Sequence, residues 1–324
     1  MRVPNRAVLT LAIGKKLYLD MAFNLARSFS LWHKKSDIEF FLVTDLEEAN
    51  PSDLRFVKRI QKKPLEMPVG FTSKLHLDEL TPAIKTLFID ADCLIFGNLG
   101  PVFSQFDGKS VSVVGTHISA GEWFGDVHKL CKNFKVSSLP KFNGGIYYLE
   151  KTKKTQSIYS QARALEKKYD ELGLVRLRGR PNDELLMAIS MAIHGESEVD
   201  DDGKIMGDLL SCPEILSLDL FAGVASLRNP PIGFARHRDW YPVGIIKPVV
   251  VHFLGDYTRY REYQEVTKML KLHTHRKWCP QIAKIYIYLT YSIWKKTIEI
   301  LKDILRPAYH LLFGFRKIPT SPRL

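Results

Sequence analysis

Two carboxylates one residue apart, Asp90 and Asp92, follow directly on the apolar run Thr86–Ile89, and His252 stands near the end of a second apolar run, Pro248–Phe253. In an extended chain residues i and i+2 point to the same face, so the two carboxylates can converge on one ligand. Two like charges that close repel unless they are protonated or bridged by a cation. Hard oxygen ligands with spare coordination positions suit Mg²⁺ or Mn²⁺ carrying a substrate diphosphate, and a nitrogen from His252 tilts that preference towards Mn²⁺. Each feature alone has an ordinary explanation: Asp-Ala-Asp is also a solvated turn or helix cap, and a lone strand histidine is also a core residue. The constellation carries the case for chemistry.

These residues need elements to bring them together. Apolar runs bounded by turn residues occur at Ala7–Ile13, Ile38–Val43, Thr86–Ile89, Val111–Val114, Ile146–Leu149 and Pro248–Phe253, with helix-period stretches between them at Leu17–His33 and Thr152–Glu171. Such alternation reads as an α/β layered, Rossmann-like domain, and runs without polar alternation, such as Pro248-Val-Val-Val-His252-Phe, read as strands buried on both faces. Sheets of this kind bind ligands beyond the carboxyl ends of their strands, which is where Asp90 and Asp92 fall. Gly14-Lys15-Lys16 after the first run lacks the G-x-G-x-x-G fingerprint, and no Walker A sequence occurs, so dehydrogenase and P-loop readings lose their main support.

At 324 residues, 45% hydrophobic and 25% charged, the chain has the composition of an ordinary globular protein able to bury a sizeable core. Its four cysteines have no short metal-binding spacing, and a reducing, cytoplasmic setting is the simplest expectation. The opening MRVPNRAVLTLAIG is read as a first strand and not as a signal peptide. No uninterrupted apolar stretch of ~20 residues is present. The net charge of +12 is unevenly placed: residues 271–324 hold 11 Lys/Arg against 2 Asp/Glu, leaving +3 for residues 1–270.

At this point the sequence resembles glycosyltransferase family 8. The matching segments are Phe71-Thr-Ser-Lys74-Leu-His76, Leu87-Phe-Ile-Asp90-Ala91-Asp92-Cys-Leu-Ile-Phe-Gly-Asn98-Leu, Phe142-Asn143-Gly144-Gly145-Ile and Val251-His252-Phe-Leu-Gly255, in the family's order over roughly residues 5–260. The resemblance implies a GT-A fold, a Rossmann-like mixed sheet flanked by helices, over residues 1–265; the charge and periodicity of 266–324 make that segment a basic, aromatic helical tail. It also implies a UDP-sugar donor, a divalent metal (typically Mn²⁺) and retention of anomeric configuration. Asp90 and Asp92 would be the Asp-X-Asp metal pair and His252 the histidine completing it. Lys74 falls where the family places a basic residue near the donor, and Ala91 and Gly255 fall beside donor-contacting positions. Asn143 matches a sugar- or acceptor-facing asparagine. In Pro181-Asn182-Asp183-Glu184 two registers are open, so Asn182 or Asp183 is the donor-sugar contact; Asp183 is equally an N-cap for the helix that follows. Thr10 and Tyr18 match the base-binding edge. Where the family often continues its His-X-X-Gly with X-X-Lys-Pro-Trp, this chain has Asp256-Tyr-Thr258-Arg259-Tyr260, and Arg259, one residue displaced, stands in for the diphosphate-gripping lysine.

Two further segments complete the reading. Thr116–Pro140 is long, contains Gly121, Trp123 and Gly125, and reads either as an acceptor-binding loop, with Trp123 stacking on a sugar ring, or as a structural excursion with a short helix. In the tail, Ile287, Tyr291, Trp294, Ile298, Leu301 and Leu305 form an apolar helical stripe with Lys295, Lys296 and Lys302 on other faces, and Pro307 is expected to break the helix before Tyr309–Phe315, Arg316 and Lys317. That composition fits a helix lying on an anionic membrane, and the same stripe would serve for docking on the chain's own domain. A membrane surface would make a saccharide or lipid-linked acceptor natural. Nucleic acid is not an expected partner, because the basic residues are paired with aliphatics. A decayed nucleotide-sugar-binding module and a sugar nucleotidyltransferase are the alternatives from other classes.

Overall fold

A computed structural model describes residues 3–64, 66–68, 70–234, 237 and 244–315. In chain order the elements are β1 (Arg6–Ala12), α1 (Lys16–Trp32), β2 (Ile38–Thr44), β3 (Lys58–Gln61), α2 (Leu77–Leu80), β4 (Lys85–Ile89), β5 (Cys93–Ile95), α3 (Gly100–Gln105), β6 (Val111–Ile118), α4 (Val127–Phe134), β7 (Leu139–Glu150), α5 (Lys153–Glu166), α6 (Asp183–Ile193), β8 (Val199–Asp200), β9 (Met206–Asp208), β10 (Glu214–Asp219), β11 (Val224–Asn229), β12 (Gly244–Ile246), β13 (Val250–His252), α7 (Arg261–Thr274), α8 (Pro280–Ile287) and α9 (Ile293–Phe313). Seven strands form the main sheet in the order β3-β2-β1-β4-β7-β6-β8. β3, β2, β1 and β4 run parallel, and β7 enters antiparallel between β4 and β6. The α/β mixed sheet expected from the apolar runs is therefore present.

Side-chain alternation along β1 and β4 sorts the core into two layers. Leu9, Phe88 and Tyr147 face one side and pack with Ile158 of α5 and Leu186 of α6; Val8, Leu87 and Tyr148 face the other and pack with Leu19 and Phe23 of α1 and Phe103 of α3. Each fully buried Leu or Phe contributes roughly 1.5–3 kcal/mol. A third cluster, with Phe96, Val251, Phe253, Tyr263 and Leu270, lies under α7.

The run ending in His252 does not join the main sheet. β13 lies between β5, antiparallel, and β9, parallel, in a separate three-stranded sheet. This small sheet starts only three residues after β4, so the turn at Asp90–Asp92 is the joint between two sheets.

Three expectations need correction. Trp123 is only 9% exposed and packs against Phe142 at 6.0 Å between ring centroids, so 116–140 is a structural excursion whose tryptophan feeds the core and cannot stack on an acceptor. Pro307 sits inside α9 without ending it. The boundary at residue 265 falls inside α7, whose Val266, Thr267 and Leu270 are buried against the body, and burial continues to Ala283 and Ile287 of α8.

Beyond that burial falls away. α9 has no buried residue, and Trp294, Leu301 and Leu305 of the apolar stripe are exposed. Docking on the chain's own domain therefore fades along the stripe: Ile287 is buried, Tyr291 and Ile298 are half-buried, with Lys268 of α7 5.0 Å from the Tyr291 ring and Arg261 of α7 3.4 Å from Glu299, and the rest of the stripe is exposed. Arg316 and Lys317 lie outside the described residues. Among the described residues no helix is long and apolar enough to cross a membrane.

Candidate active site

Backbone pairing alone brings the acidic pair to the histidine. The Asp90 N–H donates to Gly145 O (3.0 Å), and Asp90 O accepts the Cys93 N–H (3.0 Å), closing the turn that carries Asp92. The Phe253 N–H donates to Asp92 O (3.0 Å), and His252 lies opposite Cys93 in register. His252 Nε2 consequently comes to 3.1 Å from Asp92 Oδ1 and 3.9 Å from Asp90 Oδ2.

The other ring nitrogen is fixed from behind. Asn143 Oδ1 accepts the Gly145 N–H (3.0 Å) and lies 2.8 Å from His252 Nδ1. An oxygen there requires Nδ1 to donate, which aims Nε2 at the carboxylates. Gly145 is needed for this approach: a Cβ would lie 2.6 Å from His252 Nδ1. Burial opposes a charged imidazole, but the charges and hydrogen bond from Asp92 and the charge of Asp90 more than offset it and raise the His252 pKa. A proton and a metal cation therefore compete for one nitrogen.

The opposite wall is built from α6 and the segment before α2. Lys74 Nζ donates to Asp90 Oδ2 (2.7 Å) and to Gly144 O (2.8 Å). Burial would discharge it; the neighbouring carboxylates Asp90 and Asp183 keep its pKa raised. Asn182, not Asp183, is the N-cap of α6, its side-chain oxygen accepting the Glu184 N–H at 3.0 Å. Asp183 is the first residue of the helix, buried, with Oδ2 accepting the Tyr147 hydroxyl at 2.6 Å. Glu184 accepts the Gly144 N–H at 2.7 Å, and burial, with the Asp183 charge, pushes its pKa up to about 7. Burial likewise raises Asp183.

These groups surround a cavity of about 320 Å³ at the carboxyl ends of β1 and β4. Of the residues singled out in the sequence, Tyr18, Lys74, Asp90, Ala91, Asp92, Asn143, Asn182, Asp183, His252 and Gly255 line it. Thr10 does not: it is fully buried in β1 on the α1 face with Val8 and Ala12, whereas Leu11 and Ile13 point to the cavity. Arg259 does not either; its guanidinium is half exposed and pairs with Asp256 at 3.6 Å.

Positive charge reaches the cavity from elsewhere. Arg178 and Arg180 line it together with Lys15. The arginines flank Gly179 in a two-residue hairpin: Leu177 and Arg180 exchange backbone hydrogen bonds of 2.9 and 3.1 Å, and Arg178 (φ 54°) and Gly179 (φ 75°) both adopt left-handed backbone. Positive φ at a non-glycine residue beside a cavity costs energy of order 1 kcal/mol and marks a constrained position. Arg178 Nη2 would lie 4.0 Å from a Cβ on Gly255, and Arg180 packs on Gly70. The sequence signal for them is the basic run Arg176-Leu-Arg178-Gly-Arg180 just before Pro181-Asn182-Asp183. Glu184, part of that same segment, was also overlooked.

The donor set fits a divalent cation. Asp92 and His252 converge within hydrogen-bonding distance, Asp90 faces the same space, and the Nδ1 partner of the histidine is a protein oxygen, the arrangement that orients metal-bound imidazoles. Among the described residues, ligand atoms of Asp92, Cys93 and His252 also lie within 4.8 Å of one another.

Neither a protein-family model nor a curated protein sequence matches the chain. Solved structures that it is similar to include the glycosyltransferase GlyE of Streptococcus pneumoniae TIGR4, at 14% identity and a TM-score of 0.40 over 61% of this chain, and the galactosyltransferase LgtC in complex with donor and acceptor sugar analogs, at 14% identity and a TM-score of 0.49 over 81% of this chain and 95% of LgtC. The chain spans about 45% of the length of GlyE.

Proposed function

We propose that this chain is a metal-dependent glycosyltransferase of the GT-A type, moving a sugar from a UDP-sugar to a saccharide or lipid-linked acceptor. The observation that carries the reading is the meeting of Asp90, Asp92 and His252, from two sheets, at one cavity with the imidazole tautomer fixed by Asn143. Retention of configuration rests on the family resemblance.

Loss of a nucleoside diphosphate puts negative charge on the leaving oxygen and positive charge on the anomeric carbon. Asp90, Asp92 and His252 would hold a divalent cation, Mn²⁺ for preference, which when bound would supply Lewis-acid neutralisation of the leaving group. Asn143 keeps His252 Nε2 available as a ligand, and Lys74 holds the Asp90 carboxylate in place. Arg178 and Arg180, in place of Arg259, add fixed positive charge to the cavity, where one preorganised donor is worth ~3 kcal/mol in the transition state. Asn182 and Asp183 accept and donate hydrogen bonds to sugar hydroxyls, with Tyr147 restraining the Asp183 carboxylate. Tyr18 offers a ring for the base, and the backbone at Ala91 and Gly255 closes the donor pocket.

The exposed apolar stripe and lysines of α9 support peripheral attachment to an anionic, cytoplasm-facing membrane, which would bring a lipid-linked acceptor to the cavity. A panel of UDP-sugars tested for Mn²⁺-dependent hydrolysis checks the reading. Turnover of at least one donor that disappears on chelation supports it; binding of UDP and Mn²⁺ with no turnover of any donor would point instead to a decayed binding module.

A further inference from the structure

Cys93 has no part in that mechanism, yet among the described residues its thiol, Asp92 and His252 offer metal-ligating atoms within 4.8 Å of one another. It lies directly opposite His252 in the antiparallel β5–β13 pair, so the two side chains project from the same face of the small sheet. Its thiol, fully buried, contacts Gly145 O at 4.0 Å and does not line the cavity, whereas Asp92 and His252 do. Asp90, by contrast, is held towards Lys74 at 2.7 Å and lies farther from the histidine than Asp92 does.

Two donor sets thus share Asp92 and His252. With Asp90 they offer two oxygens and a nitrogen to a cation in the cavity; with the fully buried Cys93 they offer oxygen, nitrogen and sulfur. Thiolate selects softer ions, while carboxylate oxygens suit Mg²⁺ and Mn²⁺. Zinc bonds of ~2.3 Å to sulfur and ~2.0 Å to nitrogen or oxygen place ligand atoms up to roughly 4 Å apart around one ion. Ligand atoms of Asp92, Cys93 and His252 all lie within 4.8 Å of one another, so a small side-chain shift would bring them to that spacing.

We infer that the chain captures Zn²⁺ or Cd²⁺ through Asp92, Cys93 and His252 in a buried mode that excludes the productive cation. In this step the Cys93 S–H bond breaks, a sulfur–metal bond forms, and the proton leaves to solvent; no electron is transferred. The inference rests on the proposed metal-dependent function, since it makes soft metals inhibitors that withdraw Asp92 and His252 from the donor diphosphate.

The test is X-ray absorption at the zinc edge on the full chain, in a Cys279→Ser background that removes the exposed thiol. One sulfur in the first coordination shell is expected. Adding Cys93→Ser should remove it and lower the ratio of Zn²⁺ to Mn²⁺ affinity by at least the roughly 10-fold that loss of even an outer-shell partner costs a metal site. A chain that binds Mn²⁺ and UDP but holds zinc through nitrogen and oxygen only overturns the inference and leaves the enzymatic reading intact. Sulfur-ligated zinc in a chain that binds neither Mn²⁺ nor UDP supports the soft site and overturns the enzymatic reading.

Discussion

The Asn143 side-chain oxygen receives two hydrogen bonds, from the Gly145 N–H and from His252 Nδ1, and so ties a glycine-rich strand to the imidazole across the joint between two sheets. If this bond sets the tautomer, Asn143→Ala should weaken Mn²⁺ binding by ~10–100-fold. Electron paramagnetic resonance titration of Mn²⁺ in the presence of UDP measures it. Unchanged affinity would return Asn143 to a turn-forming role.

Cation placement gives a paired prediction. Arg178→Ala should lower kcat by ~10²-fold, the cost of one preorganised donor, while Arg259→Ala, with its side chain outside the cavity, should stay within about 2-fold. Steady-state kinetics on the two variants decide between the residues. A large loss in Arg259→Ala alone would reverse the assignment.

The α6 carboxylates predict an unusual pH dependence of stability. Glu184, raised from 4.5 to about 7 by burial and Asp183, is stabilising in its protonated form, a contribution present below pH 4.5 and lost as pH rises through about 7. Glu184→Gln keeps an acceptor for the Gly144 N–H and has no charge to bury. The variant should therefore unfold at higher denaturant than the unaltered chain at pH 8, by on the order of 1 kcal/mol or more, with the gap closing at pH 5. Equal gaps at both pH values would show that Glu184 titrates normally.

Asp53 behaves in the opposite sense. It forms a buried ion pair with Arg27 of α1 (2.8 Å) and accepts the Thr274 hydroxyl of α7 (3.0 Å), so it links the first helix to the seventh. Burial raises its pKa, but the hydrogen bonds and charge of Arg27, with hydrogen bonds from Thr274 and His275, together outweigh this and the net value falls to about 2. A depressed carboxylate stabilises above its unfolded pKa of 3.8, and that stability, about 2 kcal/mol, is lost as pH falls from about 4 towards 2. Denaturation midpoints of the unaltered chain and Asp53→Asn should converge over this range and differ most above pH 5.

Membrane attachment is tested by sedimentation with vesicles. The full chain should bind anionic vesicles, release them as salt rises, and lose binding when residues from Ile293 onward are removed. Equal partition to neutral and anionic vesicles would count against an electrostatic surface.

The sequence made the strands legible because runs such as Thr86–Ile89 are buried on both faces, and it made the metal residues legible because Asp90 and Asp92 end such a run. Thr10 was misplaced through strand parity: one position along β1 separates the cavity face of Leu11 from the α1 face of Thr10. Arg178 and Arg180 were missed because their position depends on a hairpin fixed by backbone φ and by space above Gly70 and Gly255, neither of which appears in periodicity. The seating of β13 in its own sheet with β5 was hidden for a similar reason, since a buried strand looks the same in either sheet. Pro307 misled because a proline inside a helix removes one backbone hydrogen bond and can kink the helix without ending it, and the boundary at 265 misled because charge marks the tail whereas the apolar face of α7, with Val266 and Leu270 buried against the body, runs across it.

The central claim is that Asp90, Asp92 and His252 grip one divalent cation. Anomalous scattering from a crystal of the chain grown with Mn²⁺ and UDP tests it most directly. A single manganese peak at coordination distance from Asp92 and His252 Nε2, facing Asp90 and touching the diphosphate, is the predicted result. A peak elsewhere, or bound UDP with the His252–Asp92 contact intact and no manganese between them, would contradict it.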